Sequence, residues 1–129
     1  MIKYPEKESS RLEFKEKIPR NDQIIKTIIG FCNHFGGKLV LGVDDKGLIK
    51  GIDITKIDEI LEFLEKSIFE ACFPPIIIHP WVQTFHEKSV IVVEVSAGMN
   101  RPYYIKSLGV EKGTFIRLGH NTLYFLSNS

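Results

Sequence analysis

Long apolar runs are absent from this sequence. Nowhere do its 129 residues approach the roughly 18 consecutive apolar residues of a membrane-spanning helix. The first ten residues, MIKYPEKESS, lack the apolar core of a secretory signal peptide. We therefore expect a cytoplasmic protein without a membrane partner.

Cysteine is scarce as well. Cys32 and Cys72 are isolated and flanked by apolar residues, which predicts reduced thiols in the core rather than a disulfide. The histidines are far apart in sequence, and Cys32-x-His34 has no second ligand pair at the spacing of a zinc finger. A zinc site is not expected.

A nucleotide-binding P-loop is also missing, although GGK at residues 36–38 invites the comparison. That loop needs G-x-x-x-x-G-K-[ST] between a strand and the start of a helix, so that backbone amides face the phosphates. Here the glycines close a predicted helix and open a strand, and Leu39 occupies the hydroxyl position. We expect no nucleotide cofactor and no ATPase activity of this type.

The composition, 43% hydrophobic and 26% charged residues, is that of a globular protein, and the length suits one domain over residues 1–129. The net charge of +1 is unevenly distributed. Residues 1–20 carry six Lys or Arg against four Glu, and residues 98–120 carry four against one; residues 44–72 carry four Lys against eight acids. Both a basic face built from the chain ends and solvated faces of mixed charge fit this pattern.

Periodicity predicts an α+β fold. RLEFKEKI alternates like a half-exposed strand, and Ile24, Ile28, Phe31 and Phe35 form a helical stripe that Gly36-Gly37 would end. KLVLGV is typical of a buried strand, and LIKGI would return beside it as a hairpin.

The remaining segments complete the order β-α-β-β-α-β-β-β-β, with two helices packed on one mixed sheet. A second helical stripe precedes FPP, which ends the helix. The later strands would be IIIHPWVQTF, SVIVVEV, YYIK and TFIRL. Residues 121–129 form an uncharged, atypical tail: a strand, a frayed end or a truncation.

The stretch ESSRLEFK raises the question of function. On a strand, Glu13 and Lys15 share one face, whereas Glu8 joins them only if Ser9-Ser10 bends the chain. Asp44 and Asp45 follow the buried strand. Carboxylates that converge on a divalent cation beside a lysine are typical of metal-dependent nucleases. The alternative, which the residues alone favour, is surface ion pairs and a turn-forming Asp-Asp pair.

Several linked segments resemble the Alba-like domain of the Schlafen family. Its signature runs E-S-x-x-x-E-F-K, A-F-A-N-T-x-G-G, G-V-D-D, P-x-Y and R-x-G. The matching segments lie in this order over residues 6–119: ESSRLEFKEKI, IIGFCNHFGGKLVLGVDDKGLIKGI, FPP, VIVVEVSAGMNRPYYIK and GTFIRLG.

The resemblance implies a nucleic-acid-binding domain, such as the DNA-binding module of a transcriptional regulator. It also implies an alternative, a metal-dependent endoribonuclease acting on structured RNA such as tRNA. In that case Glu8, Glu13 and Asp45 would hold Mg²⁺ or Mn²⁺ as an acidic triad, and Lys15 would stabilise the phosphate. Schlafen nucleases commonly contain two such lobes, so a single copy would have to form a homodimer or bind RNA weakly; a homodimer is our expectation.

Two predictions concern partners. DNA or RNA would meet phosphate-binding cations and a stacking tyrosine, either Tyr103 or Tyr104. The other hypothesis is a protein-interaction module in which the uncharged segment Leu123, Tyr124, Phe125 and Leu126 adds a strand to a partner's sheet. The predicted phosphate-binding cations are Arg11, Lys15, Lys17, Arg101, Lys106 and Arg117.

Overall fold

Eleven helices and strands make up the fold in the computed structural model, which describes residues 1–124. A 3₁₀ turn at Ile54–Lys56 leads into the second helix. In chain order the elements are β1 (Leu12–Lys15), α1 (Asn21–Cys32), β2 (Gly37–Leu41), α2 (Ile57–Ala71), β3 (Cys72–Phe73), β4 (His79–Phe85), β5 (Lys88–Val95), β6 (Tyr104–Ile105), α3 (Gly109–Gly113), β7 (Phe115–Leu118) and β8 (Asn121–Tyr124).

The central sheet has four strands in the order β1-β2-β5-β4. β1 runs parallel to β2, and β5 is antiparallel to both of its neighbours, so the sheet is mixed. The predicted α+β class, with helices on a mixed sheet, is confirmed. β1 and β4 are the edges of this sheet, and Pro80 lies within β4.

Both faces of the sheet are covered, which is why the apolar run of β2 does not alternate with polar residues. Leu39 and Leu41 belong to the larger core cluster, with the buried residues of α1 and α2. Val40 belongs to a second cluster with Tyr4 and Phe14. The N-terminal segment therefore covers the face opposite the helices.

α1 is shorter than the apolar stripe predicts. Its stripe is buried as far as Phe31, but the helix ends at Cys32 and the side chain of Phe35 is 62% exposed. Gly36 has φ +81°, and its N–H donates to the Phe31 carbonyl at 2.8 Å. The helix thus ends before Phe35, and the left-handed Gly36 closes the turn that leads into β2, which leaves Phe35 outside the core.

The predicted return of LIKGI as a hairpin forms through isolated antiparallel bridges rather than as a regular strand. Residues 48–52 make only isolated bridges, of Leu48 with Lys3 and of Ile49 with Val43. The return beside the end of β2 is held by hydrogen bonds from the Asp44 N–H to Leu48 O at 2.9 Å and from the Lys50 N–H to Gly42 O at 2.7 Å. On its other side the Ile49 N–H donates to Ile2 O at 2.9 Å, a contact with a distant segment that local patterning does not reveal.

The later strands form two small sheets beside the central one. β3 pairs with β6, and β7 pairs with β8, each antiparallel. The prediction of one continuous sheet is therefore wrong for YYIK and TFIRL. The tail is a strand over residues 121–124; the predicted contact residues Phe125 and Leu126 lie outside the described residues.

No helix within residues 1–124 combines the length and apolar character needed to cross a bilayer.

Candidate nucleic-acid interface

Glu13 and Lys15 project from the same face of β1, as the strand period predicts. The Lys15 ammonium nitrogen Nζ lies 3.7 Å from Glu13 Oε2. The same carboxylate oxygen accepts a hydrogen bond from Thr27 Oγ1, on α1, at 3.1 Å. Glu13 is buried, unlike a surface acid, so its charge needs a close partner.

That partner is Arg117, on β7. Its Nη1 donates to Glu13 Oε1 at 2.5 Å, and its Nη2 donates to the carbonyls of Ser9 at 3.0 Å and Leu12 at 3.4 Å. The guanidinium carbon lies 4.8 Å from the ring centroid of Phe31. The Arg117 side chain has no exposed surface. The prediction that Arg117 contacts phosphates is therefore wrong, since the residue is an internal counterion.

Glu8 lies against the outer edge of β1. Its Oε2 accepts a hydrogen bond from the Phe14 N–H at 3.0 Å. Glu8 and the exposed Asp45 line one shared pocket, whereas Glu13 lines a different one with Lys15. The structure thus brings Glu8 and Asp45 to one pocket, and Glu13 and Lys15 to another.

These carboxylates do not fit a metal site in the arrangement described. Within residues 1–124 no three His, Cys, Asp or Glu side chains are grouped so that they could hold a metal ion. Both oxygens of Glu13 already contact Arg117, Thr27 or Lys15. Binding of Mg²⁺ or Mn²⁺ by Glu8, Glu13 and Asp45 stays a prediction.

Asp44 has the turn-forming role that the alternative interpretation assigned to it. Its Oδ1 accepts hydrogen bonds from the backbone N–H groups of Leu48 at 2.8 Å and Lys46 at 2.9 Å. The bond from Leu48, the bond from Lys46 and the nearby charge of Lys50 together hold the pKa of the Asp44 carboxyl below its ordinary value.

Four of the remaining predicted cations have accessible side chains on two connected parts of the surface. Arg11, Lys15 and Lys17 belong to β1 or its flanks, and Lys15 is half-buried while the other two are exposed. Arg101 is exposed and donates through Nη1 to His34 O at 3.3 Å. Lys106, although exposed, lies elsewhere, because its N–H donates to Ala71 O at the end of α2.

The two tyrosines differ in what they can contact. Tyr103 is only 7% exposed, its backbone N–H donates to Asn33 Oδ1 at 2.7 Å, and its hydroxyl accepts from the Asn100 N–H at 3.3 Å. Stacking of a base on Tyr103 is therefore excluded by burial. Tyr104 is half-buried, with its ring centroid 5.7 Å from that of Phe73.

Several polar residues beside Lys15 were not identified from the sequence. Gln23, Lys26 and Thr27 line the Lys15 pocket from α1, with Lys26 and Thr27 three and four residues after Gln23. Their shared helical face is a signal that the sequence does contain. His120 and Asn121 complete the lining from the β7–β8 turn, and nothing local indicates their position.

Known proteins share this arrangement of elements. The family model described as "Schlafen, AlbA_2" matches residues 8–124. The N-terminal domain of a protein from Nitrosomonas europaea, named as related to the ATP-dependent DNA helicase RecG, is 25% identical with a TM-score of 0.66; the match covers 94% of this chain and 86% of that one.

The DIP2311 protein from Corynebacterium diphtheriae has the same fold, with a TM-score of 0.66 and 19% identity. The match covers 90% of this chain but only 22% of the DIP2311 chain. Among curated proteins, none matches the sequence.

Proposed function

Because the chain belongs to the Schlafen AlbA_2 family, we propose that it binds nucleic acid through a basic surface along β1. The basic surface is defined by exposed or half-buried cations on β1, its flanks, α1 and the 98–101 loop: Arg11, Lys15, Lys17, Lys26 and Arg101.

The proposal rests on one observation: the negative charge of Glu13 is neutralised inside the protein by Arg117. This carboxylate lies on the same strand face as Lys15 and would oppose a phosphate there. Arg117 lies beneath it, fully buried, and cancels its charge without reaching the surface. With Glu13 neutralised from within, Lys15 keeps its positive charge toward solvent, and Arg11, Lys17 and Arg101 add to it. Lys26 shares its charge with Asp22, 4.0 Å away.

The length of the basic surface suits a polymer. A strand rises about 3.3 Å per residue, so β1 spans about 10 Å from Leu12 to Lys15, with Arg11 in the turn just before it. One nucleic-acid strand carries a phosphate about every 3.4 Å of duplex axis, and several phosphates fall within that span. The Nitrosomonas domain supports the proposal, since the name of its parent protein describes a relative of a DNA helicase.

Cleavage is not included in the proposal. Glu13 would have to leave Arg117 before it could bind a cation, and the acids that line the other pocket, Glu8 and Asp45, are two rather than three. The endoribonuclease alternative rests on family membership alone. Incubation of a tRNA-like stem-loop with Mn²⁺, and separately with EDTA, tests it: intact RNA in both supports binding without chemistry, and cleavage that EDTA abolishes would establish the alternative.

The binding test is fluorescence anisotropy with labelled single strands, duplexes and stem-loops at 50 to 200 mM salt. We expect affinity to fall steeply with salt, because each neutralised phosphate releases counterions. Lys15→Gln and Arg11→Gln should each reduce the slope of log K against log salt by about 0.7 to 0.9.

Lys66→Gln is the matched control, since it removes one exposed lysine from the acidic helix α2 and should leave the slope unchanged. Failure to bind any nucleic acid at low salt, or binding that does not depend on salt, would overturn the proposal.

A further inference from the structure

Phe35 is the most exposed of the aromatic side chains near the basic surface. It is 62% exposed, immediately after a helix whose own aromatic residue, Phe31, is completely buried. Leaving a ring of this size in water costs free energy that burial would recover. An aromatic ring that the fold leaves mostly exposed is a candidate for contact with a ligand.

The backbone that carries Phe35 is firmly held. Asn33 donates to Tyr103 O at 2.9 Å and to Phe115 O at 2.8 Å, and its Oδ1 accepts from the Tyr103 N–H. A Cβ at Gly36 would lie 2.7 Å from Val95 O, so this glycine lets the turn pack closely against the end of β5. The ring is therefore presented from a fixed position, which lowers the entropy cost of binding.

Two guanidinium groups flank this ring. The Arg11 guanidinium carbon lies 5.2 Å from the ring centroid of Phe35, within the range of a cation–π contact. Arg101 donates to the carbonyl of His34, whose own ring lies edge-to-face with Phe35 at 4.4 Å between centroids. Among residues 1–124, no carboxylate forms an ion pair with either arginine.

An exposed aromatic ring beside two arginines that have no carboxylate partner in the described part of the chain is suited to bind a nucleotide. An apolar protein surface would leave the two charges without a partner. The ring offers a π-face to a base, and each guanidinium offers several N–H donors to a phosphate. A base inside a duplex is already stacked on its neighbours, so only an unpaired base can use the ring.

We propose that Phe35 is a stacking platform for an unpaired base, with Arg11 and Arg101 binding the phosphates on either side of it. The proposal rests on nucleic-acid binding by the basic surface and adds that single-stranded segments are the preferred ligand. It also places the stacking residue at the α1–β2 turn rather than at either tyrosine of the YYIK segment.

The test compares Phe35→Leu with wild type in anisotropy titrations against a labelled 12-nucleotide dT strand, the matching rU strand and a 12-base-pair duplex. We expect Phe35→Leu to weaken binding to both single strands by about 5-fold to 100-fold, the range for loss of one base stack, and to leave duplex binding unchanged. Phe35→Tyr keeps the π-face and should bind like wild type.

Phe63→Leu is the control, because Phe63 is a similarly exposed phenylalanine, 55% exposed, on α2. Photocrosslinking of a 4-thiouridine strand gives a second readout, and the modified tryptic peptide should be the one that spans residues 27–38.

The outcomes separate the two proposals. If wild type binds no nucleic acid, both fail. If wild type binds in a salt-dependent manner but Phe35→Leu binds single strands equally well, or loses single-strand and duplex affinity to the same extent, the stacking platform is wrong and the basic surface stands.

Discussion

At the scale of single residues, the contact between Glu13 and Arg117 decides how the N-terminal strand is understood. The Glu13 side chain is 11% exposed, and Arg117 Nη1 lies 2.5 Å from its Oε1. An exposed ion pair contributes about 1 kcal/mol or less, whereas removing one partner of a buried pair leaves a charge without compensation. Neither of the two roles that the sequence suggested for Glu13, a surface ion pair or a metal ligand, describes this contact.

Arg117→Met should lower the free energy of unfolding by up to about 3 to 5 kcal/mol, because Glu13 would lose its buried counterion and keep only the more exposed Lys15, 3.7 Å away. Urea denaturation monitored by the fluorescence of Trp81, the single tryptophan, measures the change.

The double variant Glu13→Gln, Arg117→Met serves as the control. It removes both charges and should recover part of the loss, while Lys66→Gln on α2 should change stability little. An Arg117→Met protein as stable as wild type would contradict the description of this pair as buried and coupled.

The sequence indicates where Glu13 lies, but it does not indicate that Arg117 is buried. Alternation along β1 places Glu13 and Lys15 on one face, and the structure confirms it. Arg117 is separated from Glu13 by 104 positions, and its burial depends on how β7 packs against α1. A cation in a charged chain end looks like a surface group until the tertiary packing is known.

At the scale of elements, the turn after β2 depends on one carboxylate. Asp44 accepts two backbone N–H bonds, and the bond from Leu48 is the largest cause of its lowered pKa. A carboxyl group whose pKa is lower when folded than when unfolded adds stability above its unfolded pKa, and this contribution is lost as the pH falls through the folded pKa.

Asp44→Asn should therefore flatten the loss of stability in acid. Asparagine keeps an oxygen acceptor for the turn but carries no charge, so its urea midpoint should fall less than that of wild type between about pH 4 and pH 2. Asp45→Asn, at the exposed neighbouring position, is the matched control and should follow the wild-type curve. Parallel curves for Asp44→Asn and wild type would remove the assigned role.

Helices and strands can be predicted from the sequence where a local apolar pattern dominates. They are harder to predict where a turn or a contact with a distant segment decides the path of the backbone. The apolar run of β2 and the stripe of α2 both identify their elements, because burial of those side chains requires the observed periods. The segment 48–52 has strand-like residues but makes only isolated bridges, with Val43 on one side and Lys3 on the other. Phe35 continues a helical spacing, yet the helix has ended at Cys32.

At the scale of the whole molecule, the two thiols report on the main core. Cys32 and Cys72 are buried in the same apolar cluster, and burial raises the pKa of each thiol to about 12. The thiolate is the reactive form, so at pH 8 both side chains are protected by protonation as well as by lack of access.

Alkylation at pH 8 should therefore leave both cysteines unmodified in the native protein and modify both in 6 M guanidinium, as counted by intact mass. The native rate should be slower than that of an exposed thiol by a factor on the order of 10³ or more. Met99→Cys supplies that exposed thiol, since Met99 is 94% exposed. Rapid modification of Cys32 or Cys72 in native protein would show that this part of the core opens locally.

The edges of the central sheet bear on how the molecule can associate. On β1, the Phe14 N–H is bound by the Glu8 carboxylate and the Leu12 carbonyl by Arg117, while Ser9 and Leu12 bond to each other through their backbones. On β4, Pro80 has no N–H to offer. Along β1 these groups fill positions that a neighbouring strand would need, so this edge resists edge-to-edge polymerisation, whereas on β4 Pro80 removes only one donor. A homodimer stays a prediction, and one that extends the sheet from β1 is not expected.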